Sequence, residues 1–261
     1  MIKIKSLRII GLEFYLDLRA YTRYKFAFVS DLIIFFIMQT FFLLMNTGQS
    51  LESSYGSGYD GTGLMLIGYF TWMLASACIS NCGSEIYREI STGTFYQKIN
   101  SVLPIQVLVL GKLLSSIVTQ CVVAAILVAY AYLFWGVSIY INAYIIAVIF
   151  ICLVGMYGIG LLLGGFYIYF KKAGSLTMII QMALLFTSNI LTDNNPIGSY
   201  FRFLPLSQCV DFIRRISVGM VIGLSELIMY LLSCIVTFAV GYIAVNLFIK
   251  KAKKDGVLLL T

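Results

Sequence analysis

The sequence predicts an all-α, polytopic membrane protein, and three observations make that prediction. Of the 261 residues, 61% are hydrophobic and only 11% charged, whereas soluble domains run at about 45–50% and about 25%. The apolar residues fall into runs that exceed the ~18–20 residues needed to cross a hydrocarbon core. A chain of this length also cannot enclose so much apolar surface in one soluble core. Six transmembrane helices are expected at about 26–45, 62–82, 111–135, 139–168, 174–191 and 223–248, all in a single transmembrane domain over 1–261.

The elements follow in chain order. Residues 1–24 read as an amphipathic interfacial helix, with Leu7, Ile10, Phe14, Leu18 and Tyr21 on one face and Glu13 and Asp17 opposite. Flanking Lys and Arg suit the headgroup layer. The first span lacks a small-x-small exit site and is expected to remain in the mature protein. Inside it Asp31 is an intramembrane charge, which is costly in lipid. It is read either as the ion-pair partner of Arg23 or Lys25 or as a transport residue. A Gly- and Ser-rich loop, NTGQSLESSYGSGYD, leads to the second span.

The segment SEIYREISTGTFYQKINSVLP, beginning at Ser84, breaks the apolar pattern. Glu85, Arg88, Glu89 and Thr92 are spaced i, i+3, i+4, i+7, which puts them on one helical face, with Ile86 and Ile90 on the other side. Gly93 ends or bends that helix, and Pro104 closes the polar stretch. A plain connection needs only a few residues, so this one is expected to dock a cytoplasmic partner, its charged face turned away from the membrane. Spans three and four are long enough to tilt. Gly155, Gly158, Gly160, Gly164 and Gly165 in span four point to close helix packing. In span five, Gln181, Met182, Phe186, Ser188 and Asn189 are candidates either for interhelical hydrogen bonding or for a translocation surface. Residues 192–222 read as an outer re-entrant or cap segment with a helix near 206–217, and Glu226 is expected to face water or Arg214/Arg215.

Basic residues fix the expected orientation. They crowd the N-terminal segment, the loops after spans two and four, and the tail at Lys250, Lys251, Lys253 and Lys254, so both termini are expected on the cytoplasmic side of the cell (plasma or inner) membrane. Orientation alone accounts for the net charge of +7, and no nucleic-acid partner is implied. The six cysteines lie mostly in or beside apolar runs, and with no histidine in the chain neither a metal site nor a disulfide is expected.

The stretch SEIYREISTGTFYQKINSVLPIQVLVLGKLL resembles the coupling segment of ABC-2 type transporter permeases. That family runs glutamate, arginine, glutamate, Gly-Thr, a small-residue and proline stretch, then Gly-Lys. Here those positions are Glu85, Arg88, Glu89, Gly93, Thr94, Pro104, Gly111 and Lys112, with Ser91-Thr92 inserted before Gly-Thr where many members are more compact. GIGLLLGGFYIYFKKAGSLTMIIQMALLFTSNI resembles the family's connection from span four to span five, and FRFLPLSQCVDFIRRI its segment before the last span.

The resemblance implies the transmembrane subunit of an ATP-binding cassette exporter. Two permease subunits, identical or homologous, would pair and rest on two copies of a cytoplasmic ABC ATPase. Glu85, Arg88, Glu89, Thr92, Gly93 and Thr94 would form the ATPase-coupling site, and spans two and five would line the route. The chain has no G-x-x-x-x-G-K-[ST] motif; its Gly111-Lys112 lacks the upstream glycine. ATP and Mg would therefore be bound, and ATP hydrolysed, by the partner, with no cofactor or catalytic residue in this chain. The cargo is read as a drug, antimicrobial peptide or other amphipathic compound, with lipid or glycan export as the alternative. A secondary transporter or channel, the reading from another class, would call for paired intramembrane charges or inverted repeats, and neither is visible. A membrane-embedded enzyme would call for an acid–base or metal constellation that this sequence does not offer.

Overall fold

The computed structural model describes residues 2–23, 25–45, 48, 51–52, 55, 60–95, 105–170, 174–190 and 201–255. Among them are eight helices and no strand: α1 (Ile2–Arg23), α2 (Lys25–Leu44), α3 (Gly61–Ser91), α4 (Ile105–Trp135), α5 (Ala143–Phe170), α6 (Gly174–Thr187), α7 (Pro205–Ser217) and α8 (Leu224–Lys254). The all-helical expectation holds.

The count of six spans is not confirmed. Among the described residues four helices are long and apolar enough to cross a membrane: α3, the Val109–Trp135 part of α4, α5 and α8. The apolar parts of α2 (Phe28–Leu44) and α6 (Ser175–Thr187) are shorter. At 1.5 Å per residue the 14 residues of α6 reach about 21 Å, short of a ~30 Å hydrocarbon core. The helix expected over 174–191 stops early because the chain turns at Ser188, and Asn189 takes up a left-handed φ of 52°.

The bundle is organised around α3, which is buried along nearly all of its apolar length. Asp60 starts it, its Oδ1 accepting the Thr62 N–H at 3.0 Å, and Gly93, at φ 72°, turns the chain away after its end. Glycines on α5 let both neighbours approach closely. Gly160 lies against Cys82 and Gly164 against Ile86 on α3, while Gly155 lies against Cys234 and Gly165 against Phe248 on α8. These pairings rise together in number, so α3, α5 and α8 run parallel, and the packing role expected of the span-four glycines is met. The tightest approach is α5 on α8: a Cβ at Gly241 would fall 1.8 Å from the Gly158 carbonyl oxygen. Helix α4 runs antiparallel to α3, with Asn81 donating to Ser116 Oγ. Helix α2 is tied on by Tyr69, whose hydroxyl donates to the Phe35 carbonyl at 3.0 Å, and by Gln39, whose Nε2 donates to the Leu127 carbonyl at 3.2 Å. Helices α4 and α5 leave an apolar cleft of about 850 Å³ between them, floored by Ile67, Phe70 and Leu74 of α3.

The N-terminal helix forms as expected, but Glu13 and Asp17 share its inward face with Ile10, Phe14 and Leu18 and do not lie opposite them. Ile10, Glu13, Phe14, Asp17 and Leu18 are half-buried, whereas Ile9, Leu12, Tyr15 and Leu16 are exposed. The two acidic residues therefore lie on the protein side of α1, which packs against α4. Gly111 makes this possible: a Cβ there would stand 2.8 Å from the Ile10 carbonyl oxygen. Part of the outer cap segment, 192–200, and part of the polar segment, 96–104, lie outside the described residues. The helix expected near 206–217 is α7, opened by Pro205 at its first turn.

Candidate functional site

Among the described residues, the polar segment after span two begins inside the preceding helix. Helix α3 continues without interruption through Glu85, Arg88 and Glu89 to Ser91, so these charges occupy the last two turns of the same rod that fills the core. The hydropathy boundary near residue 82 marks a change of surroundings, not a helix end.

The orientation of the charges also differs from the expectation. Lys112, one turn into the apolar part of α4, places its Nζ 2.5 Å from Glu85 Oε2 and 3.4 Å from Glu89 Oε1. The side chains of Lys112, Glu85 and Glu89 are only 11%, 13% and 12% exposed, against 57% for Arg88. The two glutamates thus point into the bundle. Their i, i+4 spacing, read as an outward charged face, instead brackets a lysine 23 to 27 residues further along the chain. Arg88 reaches back to Glu85 Oε2 at 3.1 Å. The outward surface of this end is made by Tyr87, Arg88, Ser91, Thr92 and Gly93.

The turn after α3 closes on the same cluster. Thr94 Oγ1 donates to Glu89 Oε2 at 2.5 Å, and the Thr92 and Thr94 hydroxyls lie 2.9 Å apart. Asp17 on α1 completes it. Burial and then the neighbouring Glu85 carboxylate push its carboxyl above the usual range, against the pull of the Ser115 hydroxyl, Lys112 and Arg88. Glu85 and Glu89 thus share Lys112, Arg88 pairs with Glu85, and Asp17 of α1 stands beside this junction of α3 and α4. All six residues expected to couple to an ATPase lie together here. Asp17 and Lys112 were missing from that set. The signal for Lys112 was present, since a lysine just inside an apolar span calls for a carboxylate partner.

The span-five candidates do not form one surface. Gln181 donates from Nε2 to the Ser76 carbonyl at 3.0 Å, and its own carbonyl accepts from Trp72 Nε1 at 3.0 Å, a reciprocal clamp between α6 and α3. Met182 is half-buried against the core and Phe186 is 56% exposed. Ser188 and Asn189 lie past the helix end, where they line a cavity beneath α7. Helix α3 is buried along most of Gly61 to Ile79, so within this one chain span two meets open space mainly where Ile67, Phe70, Thr71 and Leu74 floor the apolar cleft. Asp31 is exposed on α2, with no ion pair to Arg23 or Lys25 among the described residues.

At the opposite end of α3 stands a residue the sequence reading used only as a loop charge. Arg214 is 1% exposed and donates to the Leu64, Asn189 and Ile190 carbonyls at 3.2, 2.8 and 2.6 Å. It pins α7, the start of α3 and the turn after α6 together, its guanidinium passing over Gly68, where a side chain would crowd Nη2. Arg215 pairs with Asp211 at 2.9 Å and with Glu226 at 3.0 Å, so Glu226 meets Arg215 as expected.

The sequence model of the ABC-2 type transporter family matches residues 10–218, from the middle of α1 to the end of α7. This chain is an ABC-2 type transporter protein. As an ABC-2 permease it is a multi-pass membrane protein and a membrane-spanning subunit of an ABC transporter. The match includes every residue of the Lys112 cluster and the Arg214 pin. No curated protein matches the chain.

Proposed function

We propose that this ABC-2 permease is the transmembrane subunit of an exporter, working as a dimer and driven by two copies of a separate cytoplasmic ATPase. Both termini and the Lys112 cluster face the cytoplasm of a cell-membrane protein in this reading, and the α7 end faces outward. The single observation that carries it is the junction of α1, α3 and α4 through Lys112, Glu85, Glu89 and Asp17 in a chain of this family. A push on the exposed Tyr87, Arg88 and Thr92 would be delivered to α3 itself, because the internal ion pairs make that end of the bundle one body.

The coupling role thus divides between two groups. Arg88, Thr92 and Gly93 form the contact surface, while Glu85, Glu89 and Thr94 hold it on the bundle. The apolar cleft beside α3 and the exposed Phe186 support an amphipathic cargo, such as a drug or antimicrobial peptide, over a small ion.

The test is co-expression with the cognate ATPase, followed by copurification and ATP turnover. Arg88→Glu is expected to leave a folded, monodisperse permease that no longer stimulates turnover. Glu89→Lys, which sets a second cation beside Lys112, is expected to lose both assembly and transport. Unchanged assembly and transport with both variants would overturn the coupling assignment.

A further inference from the structure

Beneath α7, at the end of the bundle away from the basic tail, lies a cavity of about 250 Å³. At ~30 Å³ per water molecule it has room for about eight waters or one compact polar head. Ser188 is fully buried and lines it, yet among the described residues its hydroxyl has no hydrogen-bond partner; nor does the buried Oδ1 of Asn189 beside it. Buried polar groups are ordinarily satisfied, so two adjacent orphans in one cavity call for a ligand that both accepts and donates.

The rest of the lining gives the ligand's charge. Three arginines, Arg202, Arg214 and Arg215, face two carboxylates, Asp211 and Glu226. Both carboxylates are already engaged by Arg215, and Arg214 is held by carbonyls. Arg202 at the rim has no ion pair among the described residues. Ser207 and Gln208, in the first turn of α7, form part of the wall; that helix begins at Pro205 with no side-chain cap at Leu204, and since Pro205 has no N–H and the Gln208 N–H is bonded to the Leu204 carbonyl, the N–H groups of Leu206 and Ser207 are left for an anion. The rim is apolar, with Phe203 77% and Met229 60% exposed.

From this geometry we infer that the cavity binds the head of a phosphate ester that carries free hydroxyls. Arg202, the Ser188 hydroxyl and the first turn of α7 face the phosphate oxygens, and Asn189 Oδ1 accepts from a ligand hydroxyl. Two sources share this chemistry: the glycerophosphate head of an anionic phospholipid, its chains lying over Phe203 and Met229, and a soluble glycerol phosphate. The inference rests on the orientation proposed above only for which side of the membrane the site opens to.

The test uses the full chain in nanodiscs. Phosphatidylglycerol discs are compared with phosphatidylcholine discs, with and without added glycerol phosphate, by thermal unfolding and by native mass spectrometry. A retained phosphatidylglycerol molecule and a raised Tm assign the lipid as ligand. The same stabilisation from glycerol phosphate in phosphatidylcholine discs assigns the soluble ester. Ser188→Ala and Arg202→Gln should each weaken the response about tenfold, as loss of one charge-assisted hydrogen bond does, while Lys253→Gln with Lys254→Gln at the basic end leaves it intact. The inference fails if neither compound stabilises, or if the two cavity variants respond like the parent. Membrane-impermeant labelling of Arg202→Cys in cells reads the side of the membrane separately, so a wrong orientation is distinguishable from an absent site.

Discussion

Replacing Lys112 by methionine removes the cation between Glu85 and Glu89 and leaves two carboxylates, with Asp17 nearby, in a pocket that is nearly closed. At an effective dielectric constant of about 20, a unit pair 4 Å apart is worth ~4 kcal/mol before desolvation. Lys112 makes two such contacts, at 2.5 and 3.4 Å. Desolvating the ions offsets most of this attraction, but removal of one partner from a buried pair costs about 3–5 kcal/mol, because the remaining charge stays buried. At ~2–4 °C per kcal/mol for a chain of this size, Tm should fall by about 6–20 °C. Intrinsic fluorescence of the protein in nanodiscs reads the change. The decisive comparison adds Glu85→Gln and Glu89→Gln to Lys112→Met, which neutralises the pocket at nearly constant volume and should recover more than half of the loss. A triple variant no more stable than Lys112→Met would refute the electrostatic account, as would a Lys112→Met protein within ~1 kcal/mol of the parent.

Four further outcomes are expected. The Asp17 carboxyl titrates above its ordinary range, so the folded state holds that proton more tightly than the unfolded one, and stability falls as pH rises through the window between the two pKa values. Asp17→Asn should therefore raise Tm at neutral pH and converge with the parent below the ordinary aspartate pKa of ~3.9, as Tm measured against pH will show. Arg214→Met leaves three buried carbonyls without their donor. At ~1–3 kcal/mol for each unsatisfied group the loss should be at least ~3 kcal/mol, with Arg214→Lys intermediate, by the same unfolding assay. Gly241→Ala sets a methyl against the Gly158 carbonyl and must force α8 from α5, at a cost of about 1–3 kcal/mol. Gly11→Ala, which meets nothing within 4 Å on α1, should be neutral or stabilising by up to ~1 kcal/mol.

What the sequence disclosed and what it concealed divide along a physical line. Helix content and membrane class follow from composition and apolar run length, which are local quantities. Gly93 as the stop after α3 and Pro205 at the start of α7 are likewise local backbone chemistry. The grouping of Glu85, Arg88, Glu89 and Thr92 was legible from helical spacing, and Thr94 joined it through the family resemblance, but the direction of the glutamates was not legible, because it depends on where α4 brings Lys112. The placement of Glu13 and Asp17 on the inward face of α1 has a similar cause. Apolar residues occur on both sides of that helix, and the close approach that settles the matter is made by Gly111 on another element. Arg214 was harder still. It holds the main-chain carbonyls of Leu64, Asn189 and Ile190, which leave no mark on the amino-acid pattern. The shortness of α6 turns on a left-handed Asn189 that hydropathy does not register.

Helix α3 has a mechanical property that neither of its ends possesses alone. Its 31 residues measure about 46 Å and contain no proline. One end is clamped by Lys112 and the other by the contact of Arg214 with the Leu64 carbonyl. A body of that length acts as a lever. Leu64 lies about 32 Å along the helix from Glu85, so a tilt of about 5° pivoting at the Lys112 end would carry it through about 3 Å, more than a hydrogen bond tolerates. The Leu64 contact could not follow such a stroke, so the Arg214 knot would have to move with α3 or release its grip on one of its three carbonyls.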